Sequence, residues 1–263
     1  MKIEIFQIDA FSRQPFGGNP AAVTLLPEYP DDDWMQQVAA EMNLSETAFL
    51  RPRDDGFDLR WFTPEVEVEL CGHATLASAH FLWERRLVDP SAEISFWTLS
   101  GRLAARRSDE WIELDFPMEG PEEVRPPPEL VPALGVEAKW VGKNRFDYLV
   151  EVDSETEVRA AVPDFGKLRQ ATTRGVMITS VASSEEFDFV SRFFAPAVGV
   201  DEDPVTGSAH CCLAPFWADR LGRSELLGYQ ASRRGGVVRT RTLGDRVVLG
   251  GQAVTVLRGQ LET

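Results

Sequence analysis

The chain has 263 residues, of which 27 are basic and 42 acidic, giving a formal net charge of −15. This length suffices for one large or two small domains with a substantial core. The acidic surplus argues against binding to a nucleic-acid backbone or an anionic membrane, because both need clustered Lys and Arg. We find no signal peptide, no apolar run near the ~20 residues of a membrane span, and no disulfide framework among three cysteines. A cytoplasmic protein is therefore expected.

Alternating apolar residues predict a sheet-rich first lobe. An acidic start followed by apolar residues at helical spacing predicts a surface helix over 31–42, and a glycine-opened apolar helix is predicted from Gly72 to Arg86. The predicted strands are 2–10, 21–26, 58–63, 93–97, 101–105 and 111–116, and residues 43–50 are predicted to form a turn that leads into a strand.

A proline-rich stretch at 117–132 is the clearest linker. It divides the chain into an N-terminal lobe, 1–118, and a C-terminal lobe, 119–263, whose final strand could pack back on the first lobe. The second lobe repeats the pattern, with a short helix at 155–161, an apolar helical run at 211–221, and strands at 140–141, 147–152, 175–182, 187–194, 235–241, 246–250 and 253–257. The predicted fold class is α+β, with two similar lobes, each a mixed, mostly antiparallel sheet wrapped around a central apolar helix.

Two helix starts share one design. An offset of 135 residues pairs Gly72 with Gly207 and His73 with Ser208. Small residues at a helix start leave backbone N–H groups uncovered, and these groups attract an anion. Asp203, in an acidic loop before the second helix, could transfer a proton to or from a bound anion. We expect the two lobes to present these helix starts to one shared cleft.

The three histidines argue against a metal site. His73 and His80 would be ~10 Å apart along a helix, which is too far for joint chelation. A hydrolase triad of Ser208, His73 and Asp203 lacks the nucleophile-elbow pattern. Glu46 lies among apolar residues, where partial desolvation would suit a carboxyl group for proton transfer near neutral pH.

Four motifs, in order, are FGGNPAAV at 16–23, NLSETAF at 43–49, CGHAT at 71–75, and SRFFAP leading to EDPVTGSAH between 191 and 210. This combination resembles the PhzF family of phenazine-biosynthesis-like isomerases. The resemblance implies a diaminopimelate-epimerase-like fold, a homodimer, and a reaction that moves a hydrogen on a small carboxylate-bearing substrate without metal or organic cofactor.

The resemblance also implies a role for each matching residue. Glu46 matches the catalytic acid/base, and His73 and Asp203 match assisting polar residues. The positions implied to bind substrate are Gly72, Gly207 and Ser208 at the helix starts, with Asn19 lining the cleft.

Two alternatives remain open. Racemases of the same fold use two thiols, one before each helix-start glycine, and here those positions hold Cys71 and Thr206. A hydroxyl is too weak an acid to replace the second thiol, so the two-thiol racemase is disfavoured. The other alternative is a small-acid-binding protein with little catalysis. The substrate itself cannot be named from the sequence.

Overall fold

The computed structural model describes residues 2–172 and 174–262, and these divide into two units. The first unit comprises residues 2–115 and 250–262, and the second comprises the described residues between 116 and 249. The predicted lobes meet at 118/119, whereas the structural units change at 115/116 and again at 249/250. Residues 1, 173 and 263, which the predicted lobes include, lie outside the described residues.

The first unit is mostly sheet with two helices. Its elements are β1 (Lys2–Ala10), β2 (Asn19–Leu25), α1 (Asp32–Met42), β3 (Glu46–Arg53), β4 (Gly56–Phe62), β5 (Glu67–Val68), α2 (Gly72–Glu84), β6 (Ile94–Thr98), β7 (Gly101–Ser108) and β8 (Trp111–Pro117), whose end enters the second unit.

The second unit repeats this succession of elements. They are β9 (Glu122–Glu123), α3 (Leu130–Leu134), β10 (Trp140–Lys143), β11 (Asp147–Glu151), α4 (Glu155–Ala160), α5 (Phe165–Ala171), β12 (Gly175–Val181), β13 (Phe189–Ala195), β14 (Val200–Asp203), α6 (Gly207–Leu221), β15 (Glu225–Gln230), β16 (Gly236–Leu243) and β17 (Arg246–Gly251). The last strand, β18 (Ala253–Glu262), returns to the first unit, where it pairs antiparallel with β1.

The strand pairings show the duplication directly. In the first unit β1 and β2 are antiparallel, β2 and β3 parallel, β3 and β4 antiparallel, β4 and β6 parallel, and β6 and β7 antiparallel. In the second unit β10 and β11, β11 and β12, β12 and β13, β13 and β15, and β15 and β16 follow the same directions. The predicted α+β class with two similar lobes is confirmed.

Each unit encloses one long apolar helix. In α2 ten of the thirteen residues are buried, and α6 likewise buries residues all around its axis. A helix that is apolar on every side belongs inside a core. The side chains of α6 pack on strands β11, β12 and β13 through Leu213, Phe216 and Trp217. These central helices are the ones that the sequence predicted.

Several elements differ from the predictions. The expected acidic loop before α6 is the strand β14, because it pairs with β13 through Asp203 and Phe193. The proline-rich linker contains β9 and the first turn of α3, and α5 and β15 were not predicted. In the described part of the chain, no helix has the length and apolar character needed to cross a membrane.

Candidate active site

An imidazole and a carboxylate lie together at a strand start and a helix start of the first unit. Glu46 is the first residue of β3, where it pairs in parallel with Ala21 of β2. His73 is the second residue of α2. The Nε2 atom of His73 lies 3.0 Å from Oε2 of Glu46, and their side chains are 7% and 17% exposed. Oε2 is buried and has no hydrogen bond of good geometry among the described residues, so its contact with the imidazole is one of charge and distance rather than a directed hydrogen bond.

The other side of the imidazole contacts an amide and a thiol. The Nδ2 atom of Asn19 lies 3.3 Å from Nδ1 of His73, and the hydroxyl of Ser45 donates to Oδ1 of Asn19 at 3.0 Å. The sulfur of Cys71 lies 3.5 Å from the same Nδ1. Both ring nitrogens of His73 therefore have polar neighbours, Nδ1 on one side and Nε2 on the other.

Burial and charge act against each other on His73. Burial opposes a positive charge on the imidazole, but the Glu46 carboxylate, 3.0 Å from Nε2, favours it, so the pKa of His73 lies above its usual value. Burial, followed by the charge of Glu46, raises the pKa of the Cys71 thiol. Cys71 is therefore a neutral thiol at neutral pH.

Glu46, Cys71 and His73 also carry the atom types that bind metals, and these atoms lie within 4.8 Å of one another. However, the thiol lies nearer to Nδ1 of His73, at 3.5 Å against 4.0 Å for Nε2, whereas the carboxylate contacts Nε2. Nε2 nevertheless lies within 4.0 Å of both other donor atoms, so the expectation that the protein uses no metal stays a prediction.

In the second unit, the start of α6 is organised by hydrogen bonds of Thr206. Its hydroxyl donates to Oδ2 of Asp203, and its backbone N–H donates to Oε1 of Gln230 at 2.9 Å. The amide of Gln230 also donates to the backbone carbonyl of Asp203 at 2.7 Å. Because the Thr206 hydroxyl is used in this way, no side chain caps α6. Helix α2 likewise has no side-chain cap at the residue before it, Cys71.

Ser208, the second residue of α6, is held by an ion pair. Arg174 donates from Nη2 to the Ser208 hydroxyl at 3.1 Å and from Nε to Oδ1 of Asp147 at 2.7 Å. Asp147 is fully buried, while the Arg174 side chain is about one-third exposed. Since the Ser208 oxygen accepts from Arg174, its own hydrogen is available to donate to a ligand.

His210 has a different environment from His73. It is fully buried, and its Nδ1 lies 2.8 Å from the backbone carbonyl of Thr206. Burial lowers the pKa of His210 to about 4. His210 is therefore a neutral, enclosed residue of the helix core.

Comparison with known proteins identifies the family. A family model described as phenazine biosynthesis-like protein, PhzC-PhzF, matches residues 8–259. The chain belongs to this family. An uncharacterized isomerase of Halalkalibacterium halodurans is 57% identical over 262 residues, which is 99% of both chains.

Solved structures give the same result for the fold. The crystal structure of a PhzF-family phenazine biosynthesis protein from Enterococcus faecalis matches with a TM-score of 0.95 and 39% identity, covering 100% of both chains. A hydroxyproline epimerase from Agrobacterium vitis, solved with bound trans-4-hydroxy-L-proline, matches with a TM-score of 0.61 over 99% of this chain and 92% of its own. At 12% identity, this second likeness concerns the fold alone.

The residues that the PhzF resemblance singled out fall into two groups. Within the first unit the structure brings together Glu46, His73 and Asn19, with Gly72 next to His73. Within the second unit it brings Asp203, Gly207 and Ser208 to the start of α6. That both groups serve one cleft stays a prediction.

Sequence reasoning missed the partners of these residues. They are Ser45, Arg174, Asp147 and Gln230. Ser45 lies in the NLSETAF motif beside Glu46, and that position is a signal that could have found it. The other three lie outside the motifs, and only the fold reveals their contacts.

Proposed function

We propose that this protein is an isomerase that moves a proton between two carbons of a small carboxylate-bearing substrate, by acid/base catalysis and without a cofactor. The observation that carries the proposal is the contact of the Glu46 carboxylate with His73 Nε2. Relatives named as isomerases support the reaction class.

In the proposed reaction, Glu46 removes a proton from one carbon, and the electron pair of that C–H bond moves into the adjacent unsaturated system. Glu46 then returns the proton to a second carbon, so that atoms and charge balance and no redox partner is needed. His73 stabilises the Glu46 carboxylate through Nε2 before the transfer.

Binding of the substrate carboxylate is assigned to the helix starts at Gly72, Gly207 and Ser208. Neither helix has a side-chain cap, so its first N–H groups are not covered by a capping residue. Such groups, with the helix dipole, stabilise negative charge. Asp203 is assigned an assisting role near Ser208. The homodimer implied by the family resemblance stays a prediction.

The second candidate function is an amino-acid racemase or epimerase, because a hydroxyproline epimerase has a similar fold. A two-thiol mechanism would use Cys71 and the residue at 206. Here Thr206 donates its hydroxyl to Asp203, and burial together with Glu46 keeps Cys71 protonated. These observations favour the single carboxylate. A binding protein with little catalysis is the third candidate.

Deuterium exchange tests the proposal. Unsaturated and amino carboxylic acids are incubated with the enzyme in D2O, and NMR follows deuterium entering at carbon. Glu46→Gln should reduce exchange by roughly 10²–10⁴-fold, the usual contribution of a positioned acid/base. Glu41→Gln, on the exposed face of α1, is the matched control and should leave exchange unchanged.

Other outcomes select the alternatives. Exchange that survives Glu46→Gln but is lost in Cys71→Ser would replace the isomerase by a thiol-based racemase. Saturable binding of an acid by the wild type, without exchange at any carbon, would replace it by a binding protein.

A further inference from the structure

The neighbours of His73 determine which of its two nitrogens holds a proton. Asn19 is fully buried at the start of β2, and its Nδ2 is the amide atom that faces Nδ1 of His73, at 3.3 Å. The opposite end of the amide, Oδ1, accepts from the Ser45 hydroxyl. An amide nitrogen can only donate, so Nδ1 must accept and the ring proton of a neutral His73 must lie on Nε2.

We propose that Ser45 and Asn19 are positioning residues that keep the proton of neutral His73 on Nε2, where it faces the Glu46 carboxylate. The inference deepens the proposed function and rests on it for its catalytic meaning. The tautomer itself is a property of the free protein.

Above the pKa of His73, where the ring is neutral, the tautomer matters because it decides the starting state of Glu46. With the proton on Nε2, the N–H group lies 3.0 Å from Oε2, and its dipole stabilises Glu46 as a carboxylate ready to accept a proton. With the proton on Nδ1, the Nε2 lone pair would face the carboxylate, and Glu46 would have to be protonated to make the contact. The first arrangement starts the reaction with a base and the second with an acid.

The remaining neighbour of the ring agrees with this assignment. The Cys71 sulfur lies 3.5 Å from Nδ1, and a protonated thiol is a weak donor. Cys71 and Glu46 are the two titratable groups that face His73. One is a potential donor to Nδ1 and the other is an acceptor at Nε2, so both favour the same tautomer.

Protonation of His73 requires the amide to turn. An imidazolium donates from both nitrogens, so Nδ1 would then need the oxygen of Asn19 rather than its NH2 group. The turned amide would present its NH2 group to Ser45, whose hydroxyl would have to give up its donation to Oδ1 and accept instead. The Ser45–Asn19 pair thus links the charge of His73 to one amide rotation.

Imidazole ¹⁵N NMR tests the proposal without any substrate. The chain has three histidines, so the spectrum is simple, and loss of one set of signals in His73→Gln assigns His73. In the wild type the neutral ring should carry its proton on Nε2. Asn19→Asp, whose carboxylate only accepts, should move the proton to Nδ1 and raise the pKa of His73 by on the order of 1 unit. Asn43→Asp is the matched control, since Asn43 is exposed at the end of α1.

Two further measurements keep the test decisive. Ser45→Ala releases the amide without adding charge, and it should shift the tautomer population in the same direction by a smaller amount. Unchanged signals of His80 and His210 show that each variant is folded. A wild-type proton on Nδ1, or a tautomer that neither variant alters, would overturn the proposal.

The outcome is separable from that of the proposed function. If the tautomer responds as expected while Glu46→Gln still exchanges deuterium, the positioning holds and the isomerase mechanism fails. If Glu46→Gln is inactive while substitution of Asn19 or Ser45 leaves the His73 tautomer unchanged, the isomerase mechanism holds and the positioning role of these two residues is wrong.

Discussion

The two units repeat one topology, yet they place different residues at the same strand start. β3 begins at Glu46, which pairs in parallel with Ala21, and β12 begins at Gly175, which pairs in parallel with Asp147. No side chain fits at Gly175, because a Cβ there would lie 2.5 Å from the Phe193 ring. The duplicated scaffold therefore provides two equivalent positions, and only the first holds a carboxylate.

The hydrogen-bond chains that reach the two helix starts differ in charge. In the first unit Ser45, through Asn19, contacts His73, and the two linking residues are neutral. In the second unit the ion pair of Asp147 and Arg174 contacts Ser208. The first arrangement reaches an imidazole through neutral groups, and the second reaches a hydroxyl through an ion pair.

The helix starts keep a common backbone despite this difference. Cys71 and Thr206 have similar φ and ψ, −143° and 107° against −113° and 106°. Four residues later, Thr75 donates its hydroxyl to the Cys71 carbonyl, and His210 Nδ1 contacts the Thr206 carbonyl. The two units thus have different side chains at positions 75 and 210, but each side chain contacts the carbonyl of the residue four positions earlier.

The largest effect on stability is expected from the charged chain. Asp147→Asn removes one partner of a buried ion pair, and such a loss costs about 3–5 kcal/mol. Ser45→Ala in the neutral chain removes one hydrogen bond and should cost about 1 kcal/mol. Urea unfolding with unchanged m-values measures both. Equal losses of unfolding free energy in the two variants would show that the charged and the neutral hydrogen-bond chains do not differ in the way proposed.

The two helix-start histidines should give opposite dependences of stability on pH. The pKa of His210 is lowered from 6.5 to about 4, so its contribution is present above 6.5 and is lost as the pH falls towards 4. The difference corresponds to about 3 kcal/mol. The pKa of His73 is raised, so its contribution is present below 6.5 and is lost as the pH rises through the folded-state value.

Denaturant unfolding across this pH range separates the two histidines. His210→Thr copies the residue found at the same position of α2, and it should remove the slope between pH 4 and 6.5. His73→Gln should flatten the profile above pH 6.5 and leave the acid side unchanged. Any cavity left by a substitution shifts the whole curve, so the slope is the quantity to compare. A His210→Thr profile parallel to that of the wild type would contradict the assignment.

The sequence predicted the features that are local in the chain. The glycine-opened helices follow from apolar periodicity and small residues, and the role of Glu46 came from a motif around it. The contacts of Asn19 with Ser45 and with His73 could not be predicted, because they depend on the register of β2 with β3 and on how α2 packs. Arg174 and Asp147 lie 27 residues apart, and no periodic pattern links them.

The strand β15 was missed for a similar reason. Its buried positions alternate as expected, but they hold Leu226, Gly228 and Gln230, of which only the first is apolar and large. Gly228 is required by the ring of Phe189, which a Cβ would approach to 2.4 Å. Gln230 is required by the hydrogen bonds around Thr206. Long-range contacts therefore determine the residues at 228 and 230, and the alternation of large apolar residues that predicts a strand is absent.

A further prediction concerns the glycine at the start of β12. Gly175→Ala should destabilise the protein by about 2 kcal/mol, since the added methyl group meets the Phe193 ring and the Phe194 carbonyl. Gly120→Ala, whose nearest neighbour would be 3.8 Å away, is the control within the same unit and should change stability little. Urea unfolding of the two variants gives the comparison. If Gly175→Ala is as stable as the control, a side chain fits at this position after all, and the lack of a second carboxylate must have a cause other than packing.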